Sequence, residues 1–91
     1  MDGNTRAKLL SLQRMEATEA EVYRRLAKMQ PDPVNQSILN GIALEEERHE
    51  SVIAKMTGEQ VKADASKVRR QVILAKLFGF TFSVKMMEAT E

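Results

Sequence analysis

Apolar residues recur at steps of three and four along the chain, the spacing of one face of an α-helix. The pattern predicts a first helix over about residues 5–29. Pro31 ends it, because a residue before proline avoids the α region. The apolar positions of this first segment are Leu9, Leu12, Met15, Ala20, Val22, Tyr23 and Leu26.

The same pattern predicts a second helix over about residues 33–57. Asp32 and Pro33 give it an N-cap acceptor followed by proline at the first helical position, and Gly58 is a typical C-cap. Its apolar positions are Val34, Ile38, Leu39, Ile42, Val52, Ile53 and Met56. No long period-two alternation indicates a strand, so we expect an all-α domain spanning residues 1–91.

A third helix is predicted over about residues 65–90, and residues 72–87 are strongly apolar. A membrane span is one interpretation, but the stretch is short and contains Lys76 and Lys85. The other interpretation is a helix buried in a bundle or in an oligomer interface. An apolar stretch of this kind needs a partner, so we expect a homodimer or a higher homo-oligomer.

The composition excludes several classes of function. A net charge of +1 and few aromatic residues argue against a nucleic-acid partner. The absence of cysteine excludes disulfides and thiolate ligands, and it fits a reducing compartment. The first twelve residues lack the apolar core of a signal peptide, so the expected location is cytoplasmic.

Glu16, Glu46 and His49 form the candidate site. Two helices joined by a tight turn pack antiparallel. Glu16 lies fifteen residues before Pro31 and Glu46 fifteen residues after it. At about 1.5 Å per residue, both lie about 22 Å from the turn and so at one height. His49 shares a face with Glu46, because residues three apart are neighbours on a helix.

All three side chains are predicted on apolar faces, where charge is costly unless it is paired or bound to metal. Carboxylates with imidazole and no thiolate suit iron or manganese, and less well zinc. Ferritin-like di-metal bundles use one Glu from each of two helices and Glu-x-x-His from each of two others. One hairpin here has half of that set, so two chains could share two iron ions.

Other interpretations of these residues stay open. The run Glu45–Glu46–Glu47 could be a solvated face, with Glu45, Glu47 and Glu50 pairing with Arg48 or with Arg24 and Lys28 of the first helix. Glu45 lies one turn before His49 and is a competing ligand. Tyr23 is either a core tyrosine or a hydrogen-bond donor to a ligand carboxylate.

A short repeat links the two ends of the chain. Met15–Glu19 reads MEATE, and the same five letters recur at Met87–Glu91, an offset of 72. We interpret the copy as the opening helix of a second hairpin. Either the chain is a fragment of a longer protein, or self-association replaces the second half.

Glu16 with Tyr23 seven residues later, followed by Glu46-x-x-His49, resembles the first half of rubrerythrin-type ferritin-like proteins. Residues 77–88 resemble the third helix of ferritin-like domains that are sometimes joined to vacuolar-iron-transporter-type membrane domains. Encapsulated ferritins are similar in building a di-iron site between short hairpins. The resemblance implies an antiparallel hairpin plus a third helix that completes a four-helix bundle by dimerisation.

The resemblance also implies a di-iron site that reacts with oxygen or peroxide in iron oxidation, storage, transport or peroxide removal. It implies Glu16, Glu46 and His49 as ligands, with Glu19, Glu88 and Glu91 as auxiliary carboxylates. The chain departs from the family in lacking a fourth helix, a second Glu-x-x-His and a cysteine-rich module. The alternatives are a non-enzymatic helical oligomerisation module and the soluble part of a membrane iron transporter.

Overall fold

The structure, a computed structural model, describes residues 1–79, 81, 84, 85, 87 and 88. This part of the chain contains three helices and no strand, which confirms the all-α prediction for the described residues. The helices are α1 (Gly3–Met29), α2 (Pro33–Thr57) and α3 (Ala65–Phe78). The predicted breaks at Pro31 and Gly58 lie where α1 and α2 end.

An aspartate stands directly before each helix and accepts a backbone hydrogen bond from its first turn. Asp2 accepts from the Thr5 amide, Asp32 from Val34, and Asp64 from Ser66 and Lys67. These acceptors satisfy N–H groups that have no partner within the helix.

The first two helices form an antiparallel hairpin, and α3 packs against α1. Arg6 near the start of α1 donates to the backbone oxygen of Thr57 at the end of α2. Arg24, towards the other end of α1, pairs with Glu47. The buried apolar core consists of Val22, Tyr23, Leu26, Ala27, Leu39, Ala43, Val68, Ala75 and Met87.

The third helix ends earlier than the sequence predicts. Gly79, at φ 89°, follows Phe78, and its amide bonds to the oxygen of Ala75. A positive φ is accessible to glycine and costly for other residues, so the helix stops there. Thr81, Val84, Lys85, Met87 and Glu88 are again helical. The rest of the predicted helix, including Ala89–Glu91 of the repeat, lies outside the described residues.

Several apolar residues predicted to be buried in α2 are exposed instead. They form a line along one side of the helix, called here the outer stripe: Val34 (64% exposed), Ile38 (56%), Val52 (52%) and Met56 (53%). The buried face of α2 is narrower than the sequence predicts. The side that carries Leu39 and Ala43 is covered by α1, whereas the described residues leave the outer stripe open. No helix in the described part of the chain has the length and apolarity needed to cross a membrane.

Candidate metal centre

Glu16, Glu46 and His49 meet across the hairpin. One ligand atom from each of the three lies within 4.8 Å of the other two. His49 Nδ1 is 3.6 Å from Glu16 Oε2 and 4.0 Å from Glu46 Oε1. The equal spacing of the two glutamates from the turn brings them to one height, and the i, i+3 step adds the imidazole.

The three side chains differ in their exposure. The side chains of Glu16 and Glu46 are each 14% exposed, whereas that of His49 is 55% exposed. The carboxylates therefore form the floor of the centre, between the helices. The imidazole forms its rim, on the side of α2 that carries the outer stripe.

One carboxylate oxygen of the floor favours a cation as its partner. Glu46 Oε2 is buried and has no hydrogen-bond partner among the described residues. A carboxylate oxygen removed from water without a partner is unfavourable by several kcal/mol, roughly, and a nearby cation removes that cost. The two carboxylates of the floor would together balance the charge of a divalent metal.

Two of the three flanking glutamates, Glu45 and Glu47, form ion pairs at the surface, whereas Glu50 accepts a hydrogen bond from the amide of Gln13 instead. Glu45 Oε1 lies 2.5 Å from Arg48 Nη1, and Arg24 Nε donates to Glu47 Oε1 at 2.6 Å. Both carboxylates were expected to pair in this way, and the structure confirms it. Glu45 does not join the cluster formed by the described residues, so the structure favours Glu46 over Glu45 as the partner of His49.

Glu19 and Glu88 are the two auxiliary candidates of the resemblance that the structure describes. Glu19 is buried in α1, at 2% exposed, and Glu88 is exposed; neither belongs to the cluster found among the described residues. Glu91 lies outside the described residues. Tyr23, at 4% exposed, is buried in the apolar core, and a hydrogen bond from its hydroxyl to a ligand carboxylate stays a prediction.

A buried polar network next to the centre was not predicted. Gln13, one turn before Glu16, is 0% exposed. Its amide nitrogen donates to Glu50 Oε2 at 3.0 Å and to the backbone oxygen of Glu59 at 2.7 Å. Its amide oxygen accepts from the hydroxyl of Thr57 at 2.8 Å. A glutamine among Leu, Met and Arg in a helical sequence gives no signal that distinguishes it from a surface residue.

Comparison of the chain with protein-family models, with curated proteins and with solved structures finds no match. The case for a metal centre therefore depends on the geometry and burial of the three side chains themselves.

Proposed function

We propose that this chain is a di-iron protein that holds two iron ions between two copies of the hairpin and acts as a ferroxidase or peroxidase-type oxidoreductase. The observation that carries the proposal is the meeting of Glu16, Glu46 and His49, whose ligand atoms lie within 4.8 Å of one another. The ferritin-like pattern of one Glu on one helix and Glu-x-x-His on the next supports iron.

The donor set fits iron, and it is incomplete in one chain. Two carboxylates and one imidazole suit iron or manganese better than zinc, which is usually bound by His and Cys. Three donors are too few for two ions. A second copy brings the total to four carboxylates and two imidazoles, the number used by four-helix di-iron bundles.

The outer stripe supports the pairing of two copies. His49 lies on the same side of α2 as Ile38, Val52 and Met56, because these positions follow one another at steps of eleven, three and four, each close to a whole number of helical turns. Burying the stripe against a second hairpin would remove apolar surface from water and bring a second set of ligands to the exposed His49.

Each residue has a defined part in this scheme. Glu16 and Glu46 provide negative charge from a floor that water reaches poorly. His49 directs Nδ1 towards the carboxylates, so a metal-binding imidazole keeps its proton on Nε2. A bound iron pair would supply the electron transfer to oxygen or peroxide, and the protein would supply geometry and exclusion of water.

Metal content, measured with native mass, tests the proposal. After anaerobic loading with Fe(II), we expect about one iron per chain in an even-numbered oligomer, since two chains share two ions. His49→Ala should weaken iron binding at least about tenfold, because loss of even an outer partner of a ligand costs about 10–100-fold. The helical circular dichroism should be unchanged.

Glu45→Gln is the matched control for His49→Ala. Glu45 lies one turn before His49, and its carboxylate is exposed and paired with Arg48. This variant should bind iron like the unaltered protein. Equal iron binding by His49→Ala and the unaltered protein would contradict the proposal. A well-folded oligomer without retained metal would favour the second candidate, a helical oligomerisation module, which the exposed outer stripe also supports.

A further inference from the structure

The side-chain amide of Gln13 contacts three residues that lie far from it in the sequence. It contacts Glu50 within α2, Thr57 at the end of α2, and Glu59 in the following loop. Both N–H groups donate and the oxygen accepts. Gln13 is fully buried and its amide makes all of these bonds, so the amide has one favourable orientation. Exchanging its oxygen and nitrogen would place the amide oxygen against the acceptor oxygens of Glu50 and Glu59.

The hydroxyl of Thr57 extends the same network. It donates to Gln13 Oε1 and accepts from the backbone amide of Glu59 at 3.3 Å. Thr57 is 5% exposed, so water competes little for these bonds. The hydroxyl therefore holds the amide of Gln13 from one side while Glu50 and the loop hold it from the other. We call these residues, Gln13, Glu50, Thr57 and Glu59, the amide clamp.

Two members of the amide clamp, Gln13 on α1 and Glu50 on α2, lie within one turn of the candidate metal centre. Gln13 is three residues before Glu16, and Glu50 is four residues after Glu46. One turn of helix is about 5 Å. A slide of α1 along α2, or a rotation about its axis, would break the bonds of Gln13 and would move Glu16 relative to Glu46 and His49 at the same time.

We expect the apolar contacts beside the centre to define this register less sharply than the hydrogen bonds of Gln13 do. The buried residues that α1 and α2 contribute nearest the centre include the small side chains Ala20 and Ala43. Small apolar side chains tolerate sliding by part of a residue, whereas hydrogen bonds weaken steeply with distance and angle. A metal site requires ligand distances within about 0.2 Å of their preferred values.

We infer that Gln13 is a positioning residue, which fixes the register of α1 against α2 and thereby places Glu16 opposite Glu46 and His49. Its part in metal affinity rests on the proposed function above. The position of Glu16 in the metal-free hairpin does not depend on that function, and it is measured without metal.

Thr57 offers the sharper test, because its side chain is more than two turns from the ligands. Thr57→Val keeps the shape of the side chain and removes the hydroxyl that donates to Gln13, whereas Thr57→Ser keeps this hydroxyl. Co(II) is the probe, since its visible spectrum reports ligand geometry. We expect Thr57→Val to weaken Co(II) binding severalfold and to change the spectrum, and Thr57→Ser to stay within about twofold.

Gln13→Leu is the stronger variant, since it removes all three bonds at similar volume. We expect roughly a 10–100-fold loss of Co(II) affinity. Leu39→Ala is its control: it lowers stability through a cavity in the apolar core and leaves the clamp intact, so its Co(II) affinity should be near normal. If Gln13→Leu does not fold, the comparison of Thr57→Val with Thr57→Ser tests the inference.

The metal-free protein gives the second readout. In ¹H–¹⁵N spectra, Thr57→Val should move the backbone resonances of Glu16 and its neighbours, and Thr57→Ser should not. Absence of these shifts, or normal Co(II) affinity and spectrum in Thr57→Val, overturns the inference. If the unaltered protein binds no Co(II), the proposed function fails, and the metal-free spectra decide the inference alone.

Discussion

At the residue scale, the aspartates before α1 and α3 link helix formation to pH. The backbone hydrogen bond from Thr5 holds the pKa of Asp2 below its ordinary value of 3.8. The side-chain hydrogen bond from Ser66, together with the backbone amide of Lys67, does the same to the pKa of Asp64. These bonds favour the charged carboxylate, which also interacts well with the helix N-terminus.

We therefore predict that acid weakens the fold at these two caps. The pKa of each aspartate is lower in the folded than in the unfolded protein. The stability that each charged cap contributes is therefore fully present well above pH 3.8, and it is lost as the pH falls through the pKa of the folded state. Urea unfolding of Asp64→Asn, compared with the unaltered protein at pH 7 and pH 3, measures this. Asparagine caps nearly as well and does not titrate.

The Asp64→Asn variant should lose less stability between pH 7 and pH 3 than the unaltered protein does. An identical loss in both proteins would show that the acid sensitivity arises elsewhere in the chain.

The contacts of the candidate site divide into those the sequence predicts and those it does not. The meeting of Glu16 with Glu46 follows from counting residues on either side of a tight turn, and His49 follows from helical periodicity. The amide clamp does not follow, because an amide such as Gln13 is neutral and compatible with either surface or core. Only the packed structure shows that its partners converge on it.

At the element scale, two glycines of the second helix have opposite roles. Gly58 ends α2 at φ 71°, a left-handed conformation that L side chains rarely adopt. Gly41 lies within α2 and has an ordinary helical φ, and a Cβ added there would meet nothing within 4 Å. Glycine is therefore required at the end of this helix and is merely tolerated inside it.

Replacing each glycine by alanine should move stability in opposite directions. Gly41→Ala should stabilise the protein by about 1 kcal/mol, because alanine has the higher helix propensity. Gly58→Ala should destabilise it by about 1–2 kcal/mol, because of the left-handed backbone. Thermal and urea unfolding of the two variants measure this, and a shift in the same direction for both would contradict the assignment of the helix end.

Helix ends were predictable to the extent that local chemistry sets them. Pro31 and Gly58 are strong signals, and α1 and α2 end beside them. The end of α3 at Phe78 does not follow from the sequence pattern, because the apolar periodicity continues beyond Gly79. The backbone at Gly79, at φ 89°, interrupts the helix although the apolar pattern does not change.

At the scale of the whole molecule, the outer stripe is an apolar surface that the described part of the hairpin leaves open. If two copies pair as proposed, Ile38→Glu should dissociate them, because it would place a charge where the two apolar faces meet. Ile38 is 56% exposed in the single chain, so the variant should keep its helical circular dichroism. Analytical ultracentrifugation at micromolar concentration measures the change, and iron retention should fall with it.

Leu44→Glu is the control for this variant. Leu44 is similarly exposed, at 53%, but lies about 120° around α2 from Ile38. It should leave the oligomer intact. A monomeric unaltered protein, or equal dissociation by both variants, would contradict a pairing through the outer stripe.

The segment between α2 and α3 looks, by its polar composition, like the natural place to insert a tag or to cut the chain. Its backbone is held by α1 instead: Arg14 donates to the oxygen of Lys62, and Thr18 accepts from the amide of Asp64. Gln13 holds Glu59 in the same way. Protein engineers who lengthen this connection would thus loosen the first helix as well, whereas Pro31 and Pro33, both exposed, mark a turn more open to alteration.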